Sequence, residues 1–169
     1  MSMYLDAQTP KIEGESQSPN PDWNMKIEIQ SMHYSISNPP SPDMGSGLIS
    51  AGATVSHMDI TKVMDYSTPM LWYYLCSGIP LPLMTIRVSR PGAKGGKDGG
   101  LFEAESYIME NVIVNHYSTS GQPGAGGLPS ESWMFSFTKI TEKYQTVDGN
   151  GTLQPMQPAG FDFGLGTSV

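Results

Sequence analysis

Along this chain, apolar residues recur at every second position more often than at every third or fourth. Met84, Ile86 and Val88 alternate with Thr85, Arg87 and Ser89, and Trp133, Phe135 and Phe137 alternate with Met134, Ser136 and Thr138. Strand side chains point to opposite faces in turn, so each run predicts a half-buried strand. Between Lys26 and Ile36 the parity changes: Ile27 and Ile29 occupy odd positions, Met32, Tyr34 and Ile36 even ones. A switch near Gln30-Ser31 predicts a bulge or barrel corner, where a sheet can curl. Met3 to Leu5 reads as a starting strand, and Thr54 to Val63 is strand-like with Met58 and Ile60 on one face. Phe102 to Tyr117 is β-branched and aromatic enough for one long strand or two bent ones.

One stretch is helical in pattern. Ser67 or Thr68 can serve as N-cap, Pro69 fits the first helical position, and Gly78 supplies the stop with Pro80 and Pro82 beyond it. Leu71, Trp72 and Leu75 form an apolar stripe on a helix over residues 67–77, too short to stand alone and therefore docked on a sheet. Turns and loops account for much of the remainder. The run after Gly14-Glu15-Ser16 is polar to Asp22, and Pro91–Gly100 is a hairpin connection. Asn38–Ala53, with Asn38, Pro39, Pro40, Gly45, Gly47 and Gly52, is a long Pro/Gly/Ser segment without periodicity. About six to eight strands and one short helix predict a mainly β chain, a curled barrel or sandwich. Its single domain has a core over about residues 3–145 and a turn-like tail over 146–169.

Composition sharpens this picture. Hydrophobic residues make up 38%, enough for a core, whereas charged residues are only 15% against roughly 25% in an average domain. The 19 Gly and 14 Pro favour strands and turns over helices. A formal charge of −7 argues against a nucleic-acid partner, which needs clustered Lys and Arg. Cys76 is alone and forms no internal disulfide. Met1 to Asp6 has neither the basic nor the apolar region of a signal peptide, and no apolar run is long enough to span a membrane. The expectation is a chain made in the cytoplasm that leaves, if it does, by a signal-independent machine.

Catalytic and metal-binding patterns do not emerge. His33, His57 and His116 are far apart and lack paired ligand spacing, so they read as strand-face or surface histidines. Cys76 reads as a buried structural thiol. Gly92-Ala93-Lys94-Gly95-Gly96-Lys97-Asp98 lacks the Gly and the Ser/Thr that a phosphate-binding loop requires, and reads as a hairpin tip. Trp133, Phe135 and Phe137 read as a core face rather than a sugar platform. No catalytic residue, cofactor or metal is expected.

Several stretches carry a resemblance. After the short opening strand comes Ile12-Glu13-Gly14-Glu15-Ser16. Thr61-Lys62-Val63-Met64-Asp65-Tyr66-Ser67-Thr68-Pro69-Met70-Leu71 leads into a helix ending Cys76-Ser77-Gly78, and Phe135-Ser136-Phe137-Thr138-Lys139-Ile140 is followed by Tyr144. In this order and spacing, from about Met3 to Gln145, they resemble the haemolysin-coregulated protein (Hcp) family, the tube subunit of type VI secretion systems. The resemblance implies a curled β-barrel of two sheets and one helix, joined into a six-membered ring with a wide lumen. Rings would stack into a tube inside a contractile sheath, with a spike protein at the tip and small secreted effectors in the lumen. It assigns assembly roles to the motif residues. Thr61, Lys62, Asp65 and Thr68 are expected to shape the strand-to-helix corner, with Lys62 and Asp65 spaced to pair locally; an exposed pair would contribute only ~0.2–1 kcal/mol. The Asn38–Ala53 loop is expected to reach the next ring. The alternatives are a monomeric β-sandwich that binds carbohydrate or another ligand through an exposed Trp133 or Trp23, and a small hydrolase that depends on His57 or His116.

Overall fold

The computed structural model describes residues 1–18, 20–43, 47–50, 52–92, 101–121 and 127–169. In chain order the strands are β1 (Ser2–Thr9), β2 (Lys11–Ile12), β3 (Ile27–Ile29), β4 (Ser31–His33), β5 (Ile36–Ser37), β6 (Pro40–Asp43), β7 (Gly47–Ser50), β8 (Thr54–Val55) and β9 (Met58–Val63). The helix α1 (Thr68–Ser77) follows, then β10 (Leu81–Pro91), β11 (Leu101–Ser120), β12 (Ser130–Ser136), β13 (Lys139–Tyr144), β14 (Gln157–Asp162) and β15 (Thr167–Ser168).

The parity switch at Gln30 is where the chain changes sheets. Ahead of it β3 pairs with β1, placing Ile27 opposite Leu5. Beyond it β4 pairs with β9, placing Met32 opposite Ile60. Gln30 itself donates its backbone N–H to Thr61 O at 2.7 Å. On the other flank β11 makes the same passage in one strand. Glu105 to Glu110 pair with β13, and Ile113 to Ser120 pair with β12. The turn is made at Asn111, with φ +53°, and at a register shift between Val114 and His116. Of the two readings left open for this stretch, one long bent strand is the one observed. The first sheet runs β15-β14-β13-β11-β10-β1, with β2 and β3 both on β1; the second runs β11-β12-β9-β4. Joined at both flanks, the two curl around one core that holds Leu5, Ile27, Met58, Leu71, Ile86, Trp133 and Phe135.

Trp133 is fully buried, and Trp23 is buried against Tyr4 with ring centroids 5.2 Å apart. Neither offers the exposed platform that a carbohydrate-binding module would use. Burying an indole removes roughly 200 Å² from water, a gross gain of about 5 kcal/mol at ~25 cal/mol per Å².

Helix α1 begins after Ser67 and ends at Gly78, whose φ of 65° is left-handed and whose N–H donates to Tyr74 O. Pro69 sits in its first turn, as the cap pattern predicts. The predicted stripe is only partly right: Leu71 is buried and Leu75 half-buried, but Trp72 is 53% exposed. A short helix lying on β11 turns little more than one residue per turn inward, so the flank carrying Trp72 faces solvent. For the same reason Cys76 is exposed rather than buried.

Two further expectations are corrected. The Pro/Gly/Ser segment is largely a paired ribbon: β5 pairs with β8, and β6 pairs with β7 from Pro40↔Ser50 to Asp43↔Gly47. The tail is also structured, since β14 pairs with all six residues of β13, and β15 pairs with β14. The Pro91–Gly100 connection does join a hairpin, with Pro91 opposite Leu101; residues 93–100 lie outside the described ones.

Candidate assembly surface

The strand-to-helix corner is held by a buried charged network. Alternation along β9 places Lys62 on the same side as Met58 and Ile60, and alternation along β12 places Glu131 with Trp133 and Phe135. Both side chains are therefore driven into the core, where a charge must be paired. Lys62 Nζ lies 2.7 Å from Asp65 Oδ1, 3.0 Å from Glu131 Oε2 and 3.1 Å from both Thr68 Oγ1 and Val63 O. Thr68 Oγ1 donates to Glu131 Oε2 at 2.9 Å, Trp133 Nε1 donates to the same oxygen at 3.2 Å, and Tyr117 OH donates to Oε1 at 3.1 Å. Ser67 donates both its backbone N–H and its hydroxyl to Asp65 Oδ1. Burial pushes the Tyr117 phenol up from its ordinary pKa.

Lys62 and Asp65 thus pair as their spacing predicts, and the small value of an exposed pair does not apply, because Lys62 has no accessible side-chain surface. Glu131, the third charge, was not singled out from the sequence. The signal was present, since an acid two residues before Trp133 in an alternating run belongs on the core face and requires a cation. Thr61 lies outside the network, with its hydroxyl 2.6 Å from Ser31 Oγ on the opposite face.

This network fixes where the chain leaves β9 and therefore where α1 sits. The result is an exposed surface rich in aromatic and sulfur side chains. Tyr66 is 71% exposed, and Met70, Trp72, Tyr73 and Ile79 are each about half exposed. Beside the helix start runs a groove of about 440 Å³ lined by Glu15, Met64, Asp65, Tyr66, Pro69, Met70 and Leu128. It continues into a second hollow of about 290 Å³ bordered by Ser16, Glu28 and Gln30. Next to Glu15 of the groove, the Gly14 N–H donates to Met25 O at 2.9 Å, and a Cβ there would come within 2.5 Å of Lys26 O. Only glycine lets that segment lie flat on the neighbouring backbone.

The remaining motif residues divide between core and surface. Ser16 and Ser67 are buried, as are Leu71, Phe135 and Phe137. Lys139 Nζ pairs with Glu110 Oε1 at 2.7 Å, and Tyr144 is partly exposed at the end of β13. In the ribbon, Pro40 and Gly47 are paired through their strands, while Asn38 and Pro39 join β5 to β6 and Gly52 precedes β8 with φ +101°. Gly45 lies outside the described residues.

His57 Nδ1 lies 2.9 Å from Ser136 Oγ, the pairing a hydrolase would need. Asn115 Nδ2, however, contacts both that same ring nitrogen at 3.0 Å and Ser136 Oγ at 2.8 Å. The nitrogen that would take the serine proton is shared with an amide donor, and all of this lies on an open sheet face. Near the rim, Tyr34 OH donates to Glu142 at 3.0 Å and Tyr107 OH to Glu105 at 3.3 Å. Burial first, then Glu142 and Glu105, pushes the Tyr107 phenol up to about 12, and burial with Glu142 raises Tyr34 as well. Among the described residues no group of three or more His, Cys, Asp or Glu converges to hold a metal ion. No helix among them is long and apolar enough to cross a membrane.

The profile of the family described as "Type VI secretion system effector, Hcp" matches residues 4–144. No curated protein matches the chain significantly. Among solved structures, a type six secretion system protein superposes with a TM-score of 0.85 at 22% identity, covering 99% of each chain. Hcp1 from Salmonella typhimurium superposes at 0.74 with 23% identity, covering 99% of this chain and 98% of that one. Hcp2 from the same organism superposes at 0.68 with 19% identity, covering 99% of each.

Proposed function

The chain belongs to the Hcp family of type VI secretion and is a tube subunit; from that premise we propose how its surfaces assemble. Six copies join head to tail into a ring, the aromatic flank of α1 and its adjoining groove forming part of the contact between neighbours. The supporting observation is the half-exposed cluster of Tyr66, Met70, Trp72, Tyr73 and Ile79 beside a groove that Leu128 and Pro69 make apolar. Trp and Tyr in such a cluster have the chemistry of interface anchors. A repeated head-to-tail contact closes into a ring when its rotation returns to the start, here after six copies, instead of running on as a filament.

The ribbon β5–β8 then reaches toward the next ring. Its pairing makes it stiffer than an unstructured loop of equal length, which lowers the ordering cost of a contact made at its tip. Sheath, spike and small secreted effectors complete the set of partners, and the tube leaves through the type VI machine.

The test is assembly of a W72A/Y73A chain at a concentration where the parent forms rings. Loss of rings with unchanged circular dichroism is expected, because both side chains are exposed in the single chain. Full ring formation by the variant would remove the helix from the interface. Separately, excising residues 38–53 is expected to leave rings and abolish stacks, and stacks of normal length would refute the ribbon's role.

A further inference from the structure

The three histidines of the chain, far apart in sequence, come together on the outer face of the second sheet. His33 on β4 stands opposite Asp59 on β9, Asp59 opposite Met134 on β12, and Met134 opposite His116 on β11. The residues that alternate with this row, such as Ile60 and Trp133, belong to the core, so the row itself faces out. His57, just ahead of β9, joins the face through Ser136. All three rings are exposed. The adjoining row is Ser31, Thr61, Ser132 and Ser118.

Among the described residues, Asp59 is the one ordinarily ionised group on this face. β12 brings no titratable side chain to it, since Glu131 points into the core, as does Lys62 of β9. At the ribbon's base Ser37 and Thr54 pair with each other. The first sheet is different in kind, with ion pairs such as Asp6–Lys26 and Lys139–Glu110.

Imidazole is the side chain that ordinarily changes charge between about pH 5 and 8. The charge the histidines give the protein in that interval therefore arrives on one face. Adding three charges to −7 still leaves −4, so a polyanion is repelled by the molecule as a whole while the charged histidines attract it at this face.

We propose that the outer face of the second sheet is a pH-gated docking surface for an acidic polypeptide segment, held when the histidines are protonated and released near neutrality. Charge complementarity selects the partner. The described face carries no Lys or Arg, and a nucleic acid, with a phosphate charge about every 1.7 Å, requires clustered basic residues. This goes beyond ring assembly and does not depend on it.

The probe is a fluorescent peptide of alternating Glu and Ser, with a Gly/Ser peptide and a DNA oligonucleotide as comparisons, measured by anisotropy at low salt. Binding of the acidic peptide is expected to be about tenfold tighter near pH 5.5 than near pH 7.5, with the Gly/Ser peptide indifferent to pH. An H33N/H57N/H116N variant is expected to lose that ratio. Because His57 is hydrogen-bonded, an H33N/H116N variant, checked by circular dichroism, provides the second arm and is expected to lose most of it. Equal binding at the two pH values, a ratio that survives in both variants, or tighter binding of DNA than of the peptide would overturn the proposal.

Discussion

At the scale of single residues, the fold depends most on Lys62. Its ammonium is fully buried between Asp65 and Glu131, and Thr68, Tyr117 and Trp133 complete the network. Removing one partner of a buried pair strands the other charge, at a cost of about 3–5 kcal/mol. Urea unfolding of Lys62→Met is expected to show a loss of that order. The Lys62→Met/Glu131→Gln double variant is expected to lose less than the two single variants combined; strict additivity would show that the charges act independently. Gly14→Ala is expected to cost about 1–3 kcal/mol, since its Cβ meets backbone that cannot step aside, and an unchanged melting temperature would refute the close packing. Tyr107 sets a pH limit. Its phenol keeps its proton up to about 12 when folded and loses it near 10.0 when unfolded. The stability it contributes is therefore complete below about 10 and is lost as pH rises toward 12. A Tyr107→Phe chain is expected to show a shallower alkaline decline. The local pair Lys62–Asp65 was legible from its spacing. Glu131, 69 residues downstream of Lys62, was legible only as an acid on the wrong parity of a strand.

At the scale of elements, local pattern decided what could be read. Gln30 marks the passage between sheets because alternation flips there, and α1 announces itself by Ser67, Pro69 and Gly78. The ribbon and the last strands escape such a reading for a shared reason. Of the ribbon's β5 and β8, Ile36 and Ser37 are exposed, and in β14 Gln157 to Ala159 are exposed while the rest are only half-buried. Strands that bury no face have no need to alternate, so their pairing rests on backbone hydrogen bonds that the side chains do not encode. The exposure of Trp72 was hidden differently: a helix with a single fully buried residue, Leu71, has no wide apolar stripe to define its outer flank. One prediction belongs here. β14 covers the whole length of β13, so a chain ending at Gln145 leaves that edge unpaired. It is expected to melt lower and to aggregate at concentrations the full chain tolerates. Equal melting and solubility would reduce residues 146–169 to a dispensable tail.

At the scale of the whole molecule, two sheets joined at both flanks make a curled body with an ion-paired face, a Ser/Thr/His face that carries Asp59, an aromatic helix flank and a projecting ribbon. Membership of the Hcp family accounts for the curl and the role in type VI secretion, and the contacts between copies are those proposed above. The fold class and family were legible because the core strands and the Thr61–Leu71 corner are dense in signal. The exposed aromatic flank proposed for assembly was not, because exposure is a property of the folded chain. The most direct test is the mass of the purified protein in solution by sedimentation, with grids of the same sample in negative stain. Ring assembly gives annular particles of roughly six times the 18.3 kDa chain. A single 18.3 kDa species at every concentration and salt, with no rings on the grid, would contradict it.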